Sequence, residues 1–421
     1  MGSKWSTKLR SSLFLPAMAL SALMLLGLCN TPDVAASVLP GIDVLVSQDF
    51  KALQNKRVGL ITNHTGRTAN GSSTIDILNN APGVKLVSLF SPEHGIRGEY
   101  DGKISSDVDQ KTGLPVHSLY GKSCQPTLEM LQGIDVLVFD IQDIGARFYT
   151  YIGTLSLAMR AAKEAGIAFV VLDRPNPIGG VKVAGAVPLK LPLEGPGKCG
   201  ALTSIHAIAT RHGMTVGELA RMFNSEFGIN CELSVVQMSG WNRSMYFDDT
   251  GLPWVAPSPN MKTIIAALLY PGLGILESTS LSVGRGTENP FTMFGAPWVD
   301  GAAVASALPE RRIPGITFVP CSFVPTASGH PYRNKTCHGV CVSAMDRERL
   351  DPIMAGLHLT QVLYKLYPQR FKGYEGFSIE VGTERAWELL TRGGKSPADI
   401  IADWQQGLEY FKKTRAGYLM Y

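Results

Sequence analysis

The stretch "DVLVFDIQDIGARFYTYIGTLSLAMRAAKEAGIAFVVLD", residues 135–173, decides the fold. It contains two short apolar runs, 135–140 and 168–173, each closing on an aspartate. Between them lies a polar loop and then a helical pattern, with apolar positions at Leu155, Ala158, Met159 and Ala162 and a stop at Gly166. Two buried strands joined through a helix form a βαβ unit, and repeated units of this kind build a parallel sheet covered by helices on both faces.

The same alternation extends outward. Upstream, "RVGLIT" (57–62) and "VKLVSLF" (84–90) read as buried strands, with "STIDILNNA" (73–81) as a helix between them and "TLEMLQG" (127–133) as another before residue 135. Downstream, residues 203–228 read as helical segments and "CELSVVQM" (231–238) as a further strand. "WVAPSPNM" (254–261), with two prolines, reads as a crossing between domains. Beyond it, "ITFVP" (316–320) and "GVCVSAM" (339–345) read as strands, with helices over 351–367 and 396–414, making a second α/β domain. A chain of 421 residues has room for two domains, and 45% hydrophobic residues give each a core.

The N-terminus reads differently. Lys4, Lys8 and Arg10 precede an apolar run over 13–28, followed by small residues near 34–37: the layout of a secretory signal peptide over residues 1–37. The apolar run is short for a membrane span and contains Pro16. Cys29 offers the lesser alternative of a lipoprotein anchor, against which stands the bulky Leu28 before it. Export places the remaining cysteines in an oxidising compartment, where "CHGVC" (337–341) reads as a local disulfide or two buried thiols and not as a metal site.

Composition and motifs exclude several classes. A net charge of +4 without a Lys/Arg run gives no basis for a nucleic-acid partner. No G-x-G-x-x-G follows the first strand, "GGKS" (393–396) has Leu389 where a phosphate loop needs glycine, and neither G-x-S-x-G nor H-E-x-x-H occurs. No cofactor and no metal is called for. Ligands of a parallel sheet bind beyond the carboxyl ends of its strands. The loops there are "NHTGR" (63–67), "SPEHGIRGEYDGK" (91–103), "DIQDIGARFYTY" (140–151) and "DRPNPIGG" (173–180), rich in carboxylates, His, Arg, Asn and Tyr. Such a set suits a polyhydroxylated or anionic substrate: carboxylates for acid/base work, arginine for an acidic group, Asn and Asp for hydroxyls. Asp140 and Asp173, at strand ends, serve equally well as caps of the following turns. Two classes fit, a glycoside hydrolase working with one or two carboxylates and a periplasmic sugar-binding protein. Glu93 favours the first, since a rigid Pro-x-x-Gly turn suits a general acid.

"ITNHTG", "SPEHGIRGEYDGK", "GLPVHSLYG", "FDIQDIGARFYTY", "LDRPNPIGG", "WVAPSPNM" and "LSVGRGTENPFTMFGAPW" occur in this order, and together they resemble the NamZ-type exo-β-N-acetylmuramidases from Gly41 to Tyr421. The resemblance implies a Rossmann-like catalytic domain over 41–255 and a smaller auxiliary α/β domain over 256–421. It implies removal of terminal N-acetylmuramic acid (MurNAc) from the non-reducing end of peptidoglycan fragments, so that the partners are MurNAc-terminated oligosaccharides. The acid/base glutamate of the P-E-H-G motif falls on Glu93, with His94 orienting or tuning it. Beside it, Asp143 is the first choice for the second group, stabilising positive charge or activating water, with Asp140 and Tyr149 in the same loop; the substrate's own acetamide is the alternative. Arg147 or Arg174 would hold the lactyl carboxylate, and Asn63, His64 and Asn176 would contact hydroxyls or the acetamide. From the C-terminal half, Glu277, Arg285 and Glu288 either close over the pocket or form an internal ion-pair network.

Overall fold

The structure is a computed structural model that describes residues 38–93, 95–96, 107–121, 123–189, 202–308 and 313–421. The expected signal peptide, Cys29, His94 and Cys199 lie outside the described residues. Among those described, seven strands form one sheet: β1 (Lys56–Thr62), β2 (Val84–Ser91), β3 (Asp107–Val108), β4 (Pro115–Ser118), β5 (Val136–Asp140), β6 (Ala168–Leu172) and β7 (Leu233–Val236). Their order is β3-β4-β2-β1-β5-β6-β7, with only β3 antiparallel to its neighbour.

The chain therefore builds from β1 outward through β2 to β4, then returns to the other side of β1 for β5, β6 and β7. This is the doubly wound, Rossmann-like order, with its switch point between β1 and β5. Register places Thr62 beside Asp140, so the loops leaving these two strands start side by side.

Period-2 alternation sends side chains to both faces, as a doubly covered sheet requires. Val136 and Val138 enter the core on one face, with Ile42, Leu45 and Leu60. Leu137 and Phe139 enter the larger core on the other. The helix Thr150–Ala165 lies against that second face, buries Leu155, Ala158, Met159 and Ala162, and ends on Gly166 at φ 67°.

The C-terminal half carries a second, antiparallel sheet of β8 (Met293–Ala296), β9 (Ile316–Phe323) and β10 (Cys337–Ala344), in the order β8-β10-β9. Helices Ile264–Leu273 and Pro352–Leu366 accompany it. Phe294, Val340, Leu363 and Phe411 join the same core as Phe139 and Tyr151, and the described residues form one compact unit.

Four local expectations are corrected. "TLEMLQG" forms turns instead of a helix, a segment too short to nucleate one before β5 begins. In 203–228 only Val216–Glu226 is helical, started by a Thr215/Glu218 capping box. The residues before it pair with distant loops, through bridges of Arg211 to Ala146 and Ala184, and those pairings displace helix. The helix Ile264–Leu273 was not expected, because a segment apolar all round shows no period. Finally, Cys341 bonds to Cys321 across β9 and β10, while Cys337 is a buried thiol. Four positions along a strand span ~13 Å, beyond the ~7 Å that a disulfide tolerates between Cα atoms, so the two cysteines of "CHGVC" cannot join. Among the described residues, no helix is long and apolar enough to cross a membrane.

Candidate active site

The loop after β1 is held by an asparagine turn. The Thr65 backbone N–H and hydroxyl both donate to Asn63 Oδ1 (2.9 and 2.5 Å), and Asn63 Nδ2 donates to the Tyr151 hydroxyl at 3.0 Å. Thr65 Oγ1 accepts from the Gln142 N–H at 3.0 Å, which ties this loop to the one after β5. The 254–261 segment closes over both. His64 Nε2 lies 2.7 Å from the Ala256 carbonyl, and the Tyr151 hydroxyl donates to the Pro257 carbonyl. The stretch read as a crossing is thus also a wall of the site.

Several expected site residues are bonded to groups of the protein itself. Asp140 is buried and accepts a two-pronged bond from Arg174, Nε to Oδ1 at 2.5 Å and Nη2 to Oδ2 at 3.0 Å; Thr74 Oγ1 donates to Oδ2 as well. Asp173 accepts from the Arg174 and Gly217 amides and from the Thr215 and Tyr421 hydroxyls at 2.7–3.0 Å; burial nevertheless pushes its carboxyl up to about 6. Both aspartates fasten strand ends, the capping role open to them from the start. Arg147 is buried and donates to Ser204 Oγ and to the Ile379 and Glu380 carbonyls, with burial pushing it down to about 9. Asn176 bonds the Met214 carbonyl and the Ile178 amide. Both guanidinium groups, expected to hold a lactyl carboxylate, are thus buried and bonded to groups of the protein.

A different set remains at the mouth of the switch point. Glu93 is half-buried and accepts from Thr150 Oγ1 at 2.9 Å, at the N-terminal end of the helix Thr150–Ala165. Its turn is closed by the Gly95 N–H donating to the Pro92 carbonyl at 3.3 Å, with Gly95 at φ 80°, a conformation that suits glycine.

Asp143 is buried, and its Oδ2 accepts from the Gly145 N–H at 2.7 Å. Its Oδ1 has no partner among the described residues. Burial pushes this carboxyl up to about 7, against the pull of the Gly145 and Ile144 amides. Gly145 stands at φ 85°, where a Cβ would lie 2.5 Å from Asn176 Oδ1; the turn that aims Asp143 needs glycine.

Tyr149 and Tyr151 stand edge to face, 5.0 Å apart, each within reach of the charges of both carboxylates. Burial raises both hydroxyls well above their usual range, and the charges of Asp143 and Glu93 add to the rise. Arg285 opposes it at Tyr149. Arg285 is paired to both oxygens of Glu277 and stacks over Phe291, 5.2 Å from the ring centre. Glu288 stands on the surface beside Lys262, 3.5 Å away.

The structure thus brings together Asn63, His64, Glu93, Asp143, Tyr149 and Arg285, and turns Asp140, Arg147, Arg174 and Asn176 inward. It adds Thr150, Tyr151 and His212, none of which had been assigned a role. Tyr151 had a signal in the aromatic run "FYTY"; Thr150 and His212 had none.

Fold and site together define a doubly wound α/β protein with a pair of unlike carboxylates at its switch-point edge. Residues 58–265 match the family described as the N-terminal region of the exo-β-N-acetylmuramidase NamZ, and residues 268–421 match its C-terminal region. The chain is 44% identical over 387 residues to the peptidoglycan β-N-acetylmuramidase NamZ of Bacillus subtilis (strain 168), covering 91% of each. Two solved structures of DUF1343 family proteins from Bacteroides fragilis NCTC 9343 are similar. One has a TM-score of 0.82 at 39% identity, covering 91% of this chain and 99% of its own. The other has a TM-score of 0.71 at 31% identity, covering 92% and 99%. The chain belongs to the exo-β-N-acetylmuramidase NamZ family.

Proposed function

We propose that this protein releases N-acetylmuramic acid from the non-reducing end of MurNAc-terminated peptidoglycan fragments, with Glu93 as the proton donor to the departing oxygen. The observation that carries the assignment is the position of Glu93, oriented by Thr150 Oγ1 at 2.9 Å beside the Tyr149–Tyr151 pair at the sheet's switch point. Asp143 faces the same tyrosines and supplies the second carboxylate. As an anion it stabilises the positive charge that develops on the sugar, or takes a proton from water. Burial holds Asp143 near neutrality, so turnover that needs its anion rises with pH through about 7.

We further propose that the chain is exported. Lys4, Lys8 and Arg10 before the apolar run over 13–28 support this. So does the Cys321–Cys341 disulfide, a bond that persists in oxidising compartments.

The test is wild-type digestion of a chromogenic β-N-acetylmuramide beside the matching glucosaminide, and of a MurNAc-terminated oligosaccharide followed by mass spectrometry. Release from the muramide alone, and of single MurNAc units from the oligosaccharide, is expected. Binding of the oligosaccharide without release would favour a binding protein.

A further inference from the structure

His212 lies beneath the β5 loop and has no part in the mechanism above. Its place is set by backbone. Ala146 and Arg211 form a β-bridge, and the Arg147 N–H donates to the Thr210 carbonyl at 2.9 Å, so the 210–212 segment is zipped to the loop that carries Asp143. The imidazole is fully buried. Its Nδ1 accepts from the Met214 N–H at 3.1 Å, which requires the proton of the neutral ring to sit on Nε2. That Nε2 has no hydrogen-bond partner among the described residues and points at Asp143 Oδ2 from 3.9 Å. A buried N–H with no acceptor, and a buried carboxylate with one oxygen unbonded, are each costly to leave so. The orphaned N–H lies nearest Oδ2, the oxygen that already accepts from Gly145 and has room for a second donor, while Oδ1 stays unbonded among the described residues.

We infer that His212 is the positioning residue of Asp143: its Nε2–H fixes Oδ2, together with the Gly145 amide, and leaves Oδ1 to act on the substrate. The inference rests on the proposed role of Asp143 as the second carboxylate.

The surroundings suit a neutral donor. Burial pushes His212 down to about 3, and the charges of Arg415, Arg211, Arg147 and Arg243 add to this. Besides His212, Asp143 is faced by the hydroxyls of Tyr149 and Tyr151. The arginines therefore keep the imidazole from taking the carboxyl proton. The pair does not become an imidazolium–carboxylate bridge, and Asp143 keeps a protonation equilibrium near neutrality.

Two variants separate donation from packing. Glutamine at 212 can place an amide N–H where Nε2 stands; asparagine reaches only the Nδ1 position. We expect His212→Gln to keep the wild-type pH profile of kcat on the chromogenic muramide. His212→Asn is expected to move its acid limb upward by about one unit and to lower kcat about fivefold at pH 7, with KM little changed. In an Asp143→Asn background, both substitutions should add less than about twofold, because the group they act through is gone.

A uniform rate loss with the limb unmoved in His212→Asn would overturn the inference. So would equal shifts in both variants, or full additivity with Asp143→Asn. If Asp143→Asn itself keeps full activity while Glu93→Gln does not, the role of Asp143 falls and takes the inference with it; the glycosidase assignment stands.

Discussion

The loop after β5 carries two aspartates three residues apart, Asp140 and Asp143, and they come to opposite states. At the end of β5, Asp140 is saturated by Arg174 and Thr74, and after the neighbouring β6 Asp173 is saturated by four donors. Three residues further on, Asp143 holds one amide at hydrogen-bond distance and keeps an oxygen without a partner among the described residues, and Glu93, at the end of β2, holds one hydroxyl. A carboxylate whose bonds are all made within the protein gains nothing by moving a proton, so it serves as a fastening. One left short of partners in a buried site pays for that in stability and retains the capacity to react.

The comparison can be broken from either side. On the saturated side, Arg174→Met would leave Asp140 buried without its cation. Removing one partner of such a pair costs about 3–5 kcal/mol. Urea unfolding should show a loss of that size, while kcat per folded molecule changes little; a normal stability would mean that Asp140 is not a fastening.

On the unsaturated side, Asp143→Asn tests the sign of a buried acid. Its carboxyl rises from 3.8 to about 7 on folding, so the stability tied to its proton is fully present below pH 3.8 and is lost as pH climbs through about 7. Asparagine carries no such loss. Relative to wild type the variant should gain stability steadily across that window, by up to ~4 kcal/mol, as followed by unfolding at several pH values. A constant difference would place the Asp143 carboxyl in its ordinary range.

The disulfide lies far in sequence from both carboxylates and closes a separation of 20 residues. Cys321→Ser should therefore cost about 3 kcal/mol and leave the rate per folded molecule unchanged. The smallest effect is expected at the chain's last residue. Tyr421→Phe removes one of the four donors to Asp173, worth about 1 kcal/mol.

These partners explain what was legible in the sequence. Strands 1, 2, 5, 6 and 7 and the helix between β5 and β6 could be read from local periodicity, because burial on both faces writes continuous apolar runs. The positions of the candidate loops followed from the sheet alone. Which aspartate in them is a fastening could not be read, because the deciding donors come from elsewhere: Thr74 and Arg174 for Asp140, Thr215 and Tyr421 for Asp173. The last of these is 248 residues away. His212 was equally invisible, since only the bridge between Arg211 and Ala146 brings it under Asp143. The burial of Arg147 and Arg174 was not legible either, because charge can be read from a sequence and burial cannot.

The central claim is that Glu93 reacts where Asp140 and Asp173 only hold. Its most direct test is release of the chromophore from the β-N-acetylmuramide by Glu93→Gln, normalised to the folded fraction. Loss of a general acid predicts a rate lower by about 10²–10⁴-fold with wild-type stability. Wild-type turnover by folded Glu93→Gln would contradict it.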